Sequence, residues 1–204
     1  WGDLWSAAAR PDVGFAACLW GRASLGPAPS ILVATTVWPS VPLCAAGTGR
    51  VLMKVILFVC TGNICRSPMA TGLLRQRLAE KGLEGQFQVV SAGVNAVDGY
   101  RASRNGIFVM AEREIDITSH IAHTVTGNDM VRSNLVLTMS RAHAQSLRQS
   151  WPQYAWKVYL LSEMSGKRKD IKDPFGGTVG QYRTAADIIS RYIDEGFERM
   201  MELA

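Results

Sequence analysis

Residues 55–68 read Val-Ile-Leu-Phe-Val-Cys-Thr-Gly-Asn-Ile-Cys-Arg-Ser-Pro, and the expected fold turns on where this stretch changes character. Its first five residues form an unbroken apolar run of strand length, the pattern of a parallel strand buried on both faces. Ser67 and Pro68 then read as the N-cap and first residue of a helix. That helix is expected to reach about Lys81, with Met69, Leu73, Leu74 and Leu78 along one side and Gly82 as its stop signal. A buried strand thus passes through a short turn directly into a helix.

Outward from that stretch the alternation repeats. Residues 87–91 read as a second short strand, and 101–114 as a helix with Ile107, Met110 and Ala111 on one face. A third strand is expected at 135–139, a short helix at 141–149 and a fourth strand at 157–161. Asp173-Pro-Phe-Gly-Gly177 is loop punctuation. The last helix, about 178–201, carries Tyr182, Ala186, Ile189, Ile193, Phe197 and Met200 at helical spacing. Strands alternating with helices predict an α/β domain, a parallel sheet with helices on both faces joined by right-handed crossovers. Such sheets bind ligands beyond the carboxyl ends of their strands, where residues 60–67 must lie.

Five residues separate Cys60 from Arg66, so the loop must curl. Gly62 permits unusual backbone angles, and Asn63 tolerates the left-handed region. Successive N–H groups then face into the curl and continue into the helix N-terminus, forming a nest for a tetrahedral anion. Arg66 can close over that anion with two parallel hydrogen bonds. Cys60 sits at the foot of the nest, where the same N–H groups, the helix dipole and Arg66 favour its thiolate. The Ser67 hydroxyl can add a hydrogen bond to the sulfur. The result is a nucleophile placed to attack phosphorus and form a cysteinyl-phosphate, with backbone dipoles and Arg66 carrying the equatorial charge. That chemistry calls for no metal and no cofactor.

The chain has 204 residues, 48% apolar and 19% charged, with a formal net charge of +5. This excludes a disordered or low-complexity chain. No repeat, nucleic-acid motif or long basic run is present. Four cysteines do not make a disulfide scaffold and point to a reducing compartment, so a cytoplasmic location is expected. Residues 1–53 differ from the rest: they hold five charges, no lysine, four of six tryptophans and five of eight prolines. The uncharged stretch 23–49 is long enough to span a membrane. However, Pro27, Pro29, Pro39 and Pro42 interrupt it, and Thr35, Thr36 and Ser40 dilute it. Residues 1–53 are therefore read as a poorly ordered extension, or as sequence joined ahead of a native start at Met53-Lys54-Val55. The rival reading is an N-terminal anchor.

Residues 60–68, Cys-Thr-Gly-Asn-Ile-Cys-Arg-Ser-Pro, resemble the signature loop of the low-molecular-weight protein tyrosine phosphatases. The preceding strand and the later Asp173-Pro174 fit the same family, and the similarity covers about 54–202. The resemblance implies a three-layer domain over 54–204, with a four-stranded parallel sheet in the flavodoxin-like order 2-1-3-4. It implies Cys60 as nucleophile, Arg66 as phosphate ligand and Asp173 as general acid, with Pro174 fixing the acid loop. Thr61, Gly62, Asn63, Ile64, Cys65 and Ser67 complete the phosphate-binding loop. It also implies that Ser91 and His120 support Asn63, and that Phe175 and Ile64 shape an aromatic slot. The expected partners are phosphorylated proteins, bound by a monomer that engages neither nucleic acid nor membrane.

Substrate choice within the family divides two ways. The Asp-Pro-Phe-Gly-Gly form of the acid loop resembles a bacterial branch of protein-arginine phosphatases. That branch has Thr at the position of Ile64, and Ile64 suits a phenyl ring better. Phosphotyrosine hydrolysis is therefore the main expectation and phosphoarginine hydrolysis the alternative. Thioredoxin-coupled arsenate reduction needs cysteines after Cys65, and none follows. A non-catalytic phosphate-binding module would lack the nucleophile or the acid. Cys65 either packs or forms a reversible disulfide with Cys60. Cys18 and Cys44 have no role assigned. His123 and His143 read as surface residues, and Trp151, Tyr154 and Trp156 as packing.

Overall fold

A computed structural model describes residues 53–204; the readings of 1–52 as an extension or anchor lie outside the described residues. Strands β1 (Lys54–Cys60), β2 (Phe87–Gly93), β3 (Leu135–Thr138) and β4 (Val158–Leu160) form one parallel sheet in the order β2-β1-β3-β4. Six helices accompany them: α1 (Arg66–Glu80), α2 (Arg104–Ala111), α3 (Gly127–Arg132), α4 (Arg141–Ser150), α5 (Leu161–Met164) and α6 (Val179–Leu203). The expected order 2-1-3-4 is thus the observed one.

The central strand explains why its sequence shows no alternation. Ile56, Leu57, Phe58 and Val59 are all fully buried. Ile56 and Phe58 pack with α1, α2 and α6 on one face, and Leu57 and Val59 pack with α3 and α4 on the other. All six residues foreseen on the inner stripe of the last helix are buried there. The register pairs Cys60 with Gly93, and Val59 with Thr138. The carboxyl ends of three strands therefore finish side by side, beneath the α1 N-terminus.

Several boundaries differ from expectation. The first helix begins at Arg66, so Ser67 is not its cap. Pro68 is the third helical residue, where a missing N–H still costs nothing because the first four amides have no helical acceptor. The second helix starts only at Arg104, capped by Ser103, and buries Val109 and Met110 while Ala111 is exposed. Helix α3 was not foreseen, although Thr126 and Asp129 form a capping box. A 3-10 turn over Pro152–Lys157 and the short α5 were also missed, because neither is long enough to show a period. Trp151 and Tyr154 do pack against the core beneath α4, but Trp156 is exposed. No helix among the described residues is long and apolar enough to cross a membrane.

Candidate active site

Cys60 ends β1 and α1 begins six residues later, so residues 61–65 must reverse the chain within one short curl. The left-handed residue that allows this is Asn63, at φ 54°; Gly62, foreseen for such angles, has no positive φ. That conformation costs an L residue roughly 1–2 kcal/mol, less for Asn, and every polar atom on the Asn63 side chain is engaged to hold it. Nδ2 donates to Ser67 Oγ at 2.9 Å and to Ser91 Oγ at 3.0 Å, and Oδ1 accepts from the His123 amide at 3.1 Å. His120 Nε2 donates to the Asn63 carbonyl at 2.6 Å. Ser91 and His120 thus stand where the resemblance put them, and the His123 amide is a further support that its residue type does not advertise.

Ser67 links this frame to the sulfur. Its Oγ lies 3.0 Å from Cys60 Sγ and already accepts from Asn63, which leaves the hydroxyl proton free to donate to the sulfur. Gly93, beside Cys60, is a second requirement that the sequence did not flag. A Cβ there would lie 2.5 Å from the Thr61 carbonyl oxygen and 3.0 Å from the Asn63 nitrogen. Gly93→Ala is expected to cost about 1–3 kcal/mol of stability through overpacking and to weaken orthophosphate binding. Urea unfolding and calorimetry read the two effects, and an unaltered phosphate affinity would show the curl to be tolerant of such pressure.

Arg66 is 4% exposed. Its Nη1 donates to the Ile171 carbonyl at 3.0 Å, and Nη2 donates to Thr61 Oγ1 at 3.1 Å and to Asp173 Oδ2. Among the described residues its buried Nε has no partner. The loop that carries Asp173 is tied down on both sides of it. The Ile171 amide bonds to the Met139 carbonyl, and Asn105 Nδ2 bonds to the Gly177 carbonyl. Asp173 Oδ1 accepts from the Phe175 amide, and the turn closes through Gly177 N to the Pro174 carbonyl, with Gly176 at φ 71°.

Cys60, Thr61 and Asp173 line a cavity of about 300 Å³. Its walls include Ile64, Val97, Tyr100 and Phe175, of which Tyr100 and Phe175 are 60% and 70% exposed. Val97, Tyr100 and Asn95 were not anticipated. They come from the irregular segment after β2, which has no period to read. Cys65 is buried, with its sulfur 3.2 Å from the Tyr182 hydroxyl. Burial pushes that thiol up, and burial carries Tyr182 up to about 12. Among the described residues no cluster of three or more His, Cys, Asp or Glu side chains is arranged to hold a metal ion.

His143 is not at the surface. It is 6% exposed, with Nε2 2.9 Å from Thr61 Oγ1 and Nδ1 3.0 Å from Ser140 Oγ. The sequence misled because a histidine in the first turn of a polar helix ordinarily faces solvent, whereas here that turn abuts the loop. Burial, then the charge of Arg66, push its pKa from 6.5 down to about 4, against the opposing pull of Asp173 and Asp170. Burial lowers His120 as well, although its bond to Asn63 opposes the shift. Above the unfolded value of 6.5 both states are neutral at these rings and nothing is lost. As pH falls further, the unfolded chain takes up protons that the folded chain refuses, so stability declines until His143 itself titrates near 4. Urea midpoints are expected to be lower at pH 5.0 than at pH 7.5; equal midpoints would contradict the buried, neutral imidazole.

A buried cysteine beside the Ser67 hydroxyl, with a buried arginine paired to an aspartate close by, stands at the carboxyl edge of a parallel sheet, where α/β folds place their ligand sites. Comparison with known proteins identifies the family. The profile of the family described as low molecular weight phosphotyrosine protein phosphatase matches residues 55–202. A probable low molecular weight protein-tyrosine-phosphatase, EpsP, of Ralstonia nicotianae is 38% identical over 152 residues, covering 74% of this chain and 99% of that protein. A protein-arginine-phosphatase of Bacillus subtilis is 36% identical over 133 residues, 65% of this chain and 87% of its own. The crystal structure of a low molecular weight protein tyrosine phosphatase from T. tengcongensis superposes with a TM-score of 0.69 at 37% identity, covering 72% of this chain and 99% of that one. This chain belongs to the low molecular weight phosphotyrosine protein phosphatase family, a family of phosphoric monoester hydrolases.

Proposed function

We propose that this protein hydrolyses phosphotyrosine in proteins through a phosphoryl group carried on Cys60. The observation that carries the reading is one cavity lined by Cys60, by Asp173, which is paired with Arg66, and by apolar and aromatic side chains. The phosphoryl oxygens sit against the loop amides and the Arg66 guanidinium, whose unpartnered Nε supplies one further donor. Cys60 Sγ attacks phosphorus; the S–P bond forms as the bond to the phenolic oxygen breaks. Asp173 gives its proton to that oxygen, since a phenolate titrating near 10 leaves badly at neutral pH. Asp173 then takes a proton from water, the water oxygen attacks phosphorus, and the Cys60 thiolate leaves with help from the Ser67 hydroxyl. Asn63, Ser91 and His120 keep the curl in its strained form throughout. A free thiol at this position suits a reducing, cytoplasmic setting.

Ile64, Val97, Tyr100 and Phe175 favour a phenyl ring, since an aromatic contact adds about 0.5–1.5 kcal/mol beyond buried area. The flexible, hydrophilic stem of phosphoarginine gains less from such walls. Matched peptides carrying phosphotyrosine or phosphoarginine test this directly, after hydrolysis of para-nitrophenyl phosphate and its block by vanadate have been established. The expected kcat/KM ratio favours phosphotyrosine by about tenfold, the scale of discrimination in an apolar pocket, and Ile64→Thr should narrow it. Faster release from phosphoarginine by the unaltered protein would reassign the substrate to the alternative reading while leaving the cysteinyl-phosphate route intact.

A further inference from the structure

We propose that His143 is a positioning residue for Arg66, acting through Thr61. The proposal rests on the phosphatase reading, in which Arg66 grips the phosphoryl oxygens. Arg66 Nη2 has two acceptors, Asp173 Oδ2 and Thr61 Oγ1, and Nη1 has one, the Ile171 carbonyl. These contacts do not serve equally through the reaction. Asp173 must carry a proton to deliver it, and a protonated carboxyl is a far weaker partner for a guanidinium than a carboxylate. Once Asp173 is so engaged, the protein groups left to hold the plane of Arg66 against the phosphoryl oxygens are the Ile171 carbonyl and Thr61 Oγ1.

Thr61 stands on the curl itself, where its hydroxyl has no fixed orientation of its own. The His143 ring supplies one. Its Nε2 meets Thr61 Oγ1 at 2.9 Å, and its Nδ1 meets Ser140 Oγ at 3.0 Å. Ser140 is the N-cap of α4 and also accepts from the His143 amide at 3.4 Å. A rigid line therefore runs from the first turn of α4 through the imidazole to Thr61 and on to the guanidinium, bridging 82 residues of sequence. A histidine that only filled space would not need both ring nitrogens aimed at hydroxyls. Because the ring is buried and neutral, it adds no second cation beside Arg66.

A double-mutant cycle tests the line, using the full chain. Orthophosphate affinity by calorimetry and kcat and KM for para-nitrophenyl phosphate are measured for His143→Ala, Thr61→Val and the pair together. Each single change is expected to lower kcat/KM about tenfold, mainly through kcat, and the pair should lose little more than the worse single, since groups in one network couple rather than add. His143→Gln, whose amide can reach Thr61, should recover most of the kcat lost in His143→Ala, and Thr61→Ser most of that lost in Thr61→Val. Losses that multiply in the pair, or a His143→Gln protein as slow as His143→Ala at an unchanged unfolding midpoint, overturn the proposal in favour of simple packing. Should His143→Ala not fold, the Gln and Thr61 variants still decide. A wild-type protein that binds orthophosphate but hydrolyses nothing would defeat the phosphatase reading instead, and the binding arm of the cycle would still report the coupling.

Discussion

Cys60→Ser should leave a folded protein that binds orthophosphate but no longer turns over. The loss is expected to be about 10⁴-fold or more, because enzymes that lose their nucleophile fall on that scale. The physical reason is specific to this site. The amides, Arg66 and the frame around Asn63 do not depend on the sulfur, so the nest survives the change. A serine hydroxyl at position 60 keeps an approximate contact to Ser67 but is a far poorer nucleophile at neutral pH. Orthophosphate calorimetry and para-nitrophenyl phosphate kinetics measure the two halves. A variant that hydrolysed substrate at the original rate would remove Cys60 from the mechanism.

Asp173→Asn is the second large effect, and its signature is dependence on the leaving group. For phosphotyrosine, kcat is expected to fall about 10²–10⁴-fold, the usual contribution of a positioned acid. For esters of more acidic phenols, which leave without a proton, the loss should shrink. The amide can still accept from Arg66, so orthophosphate binding should change little. A uniform loss across leaving groups would mean that Asp173 acts by holding Arg66, with which it is paired, rather than by giving a proton.

Much of this arrangement was legible from residues in order. The unbroken run before Cys60 marked a strand buried on both faces, and Ile56, Leu57, Phe58 and Val59 carry no accessible surface, with only Val55 at the start partly open. The spacing from Cys60 to Arg66 marked the curl. Tyr182, Ala186, Ile189, Ile193, Phe197 and Met200 marked the inner stripe of the last helix. These signals are local: each depends on periodicity or on a turn that a few neighbouring residues impose.

Residues that meet across the sheet edge were less legible. Gly93 has to be glycine because the Thr61 carbonyl presses against it, a fact created by the β1–β2 register. Val97 and Tyr100 wall the cavity because the chain after β2 folds back over the curl. His143 reads as a solvated helical residue until α4 is set against the loop. The sequence alone determined the class of fold and the curl between Cys60 and Arg66, since both are written in contiguous segments. Only the tertiary structure decided which side chains brace the loop, which of them shape the cavity and which histidine is buried. Such contacts join residues far apart in the chain, and parallel strand pairing, not local propensity, brings them together.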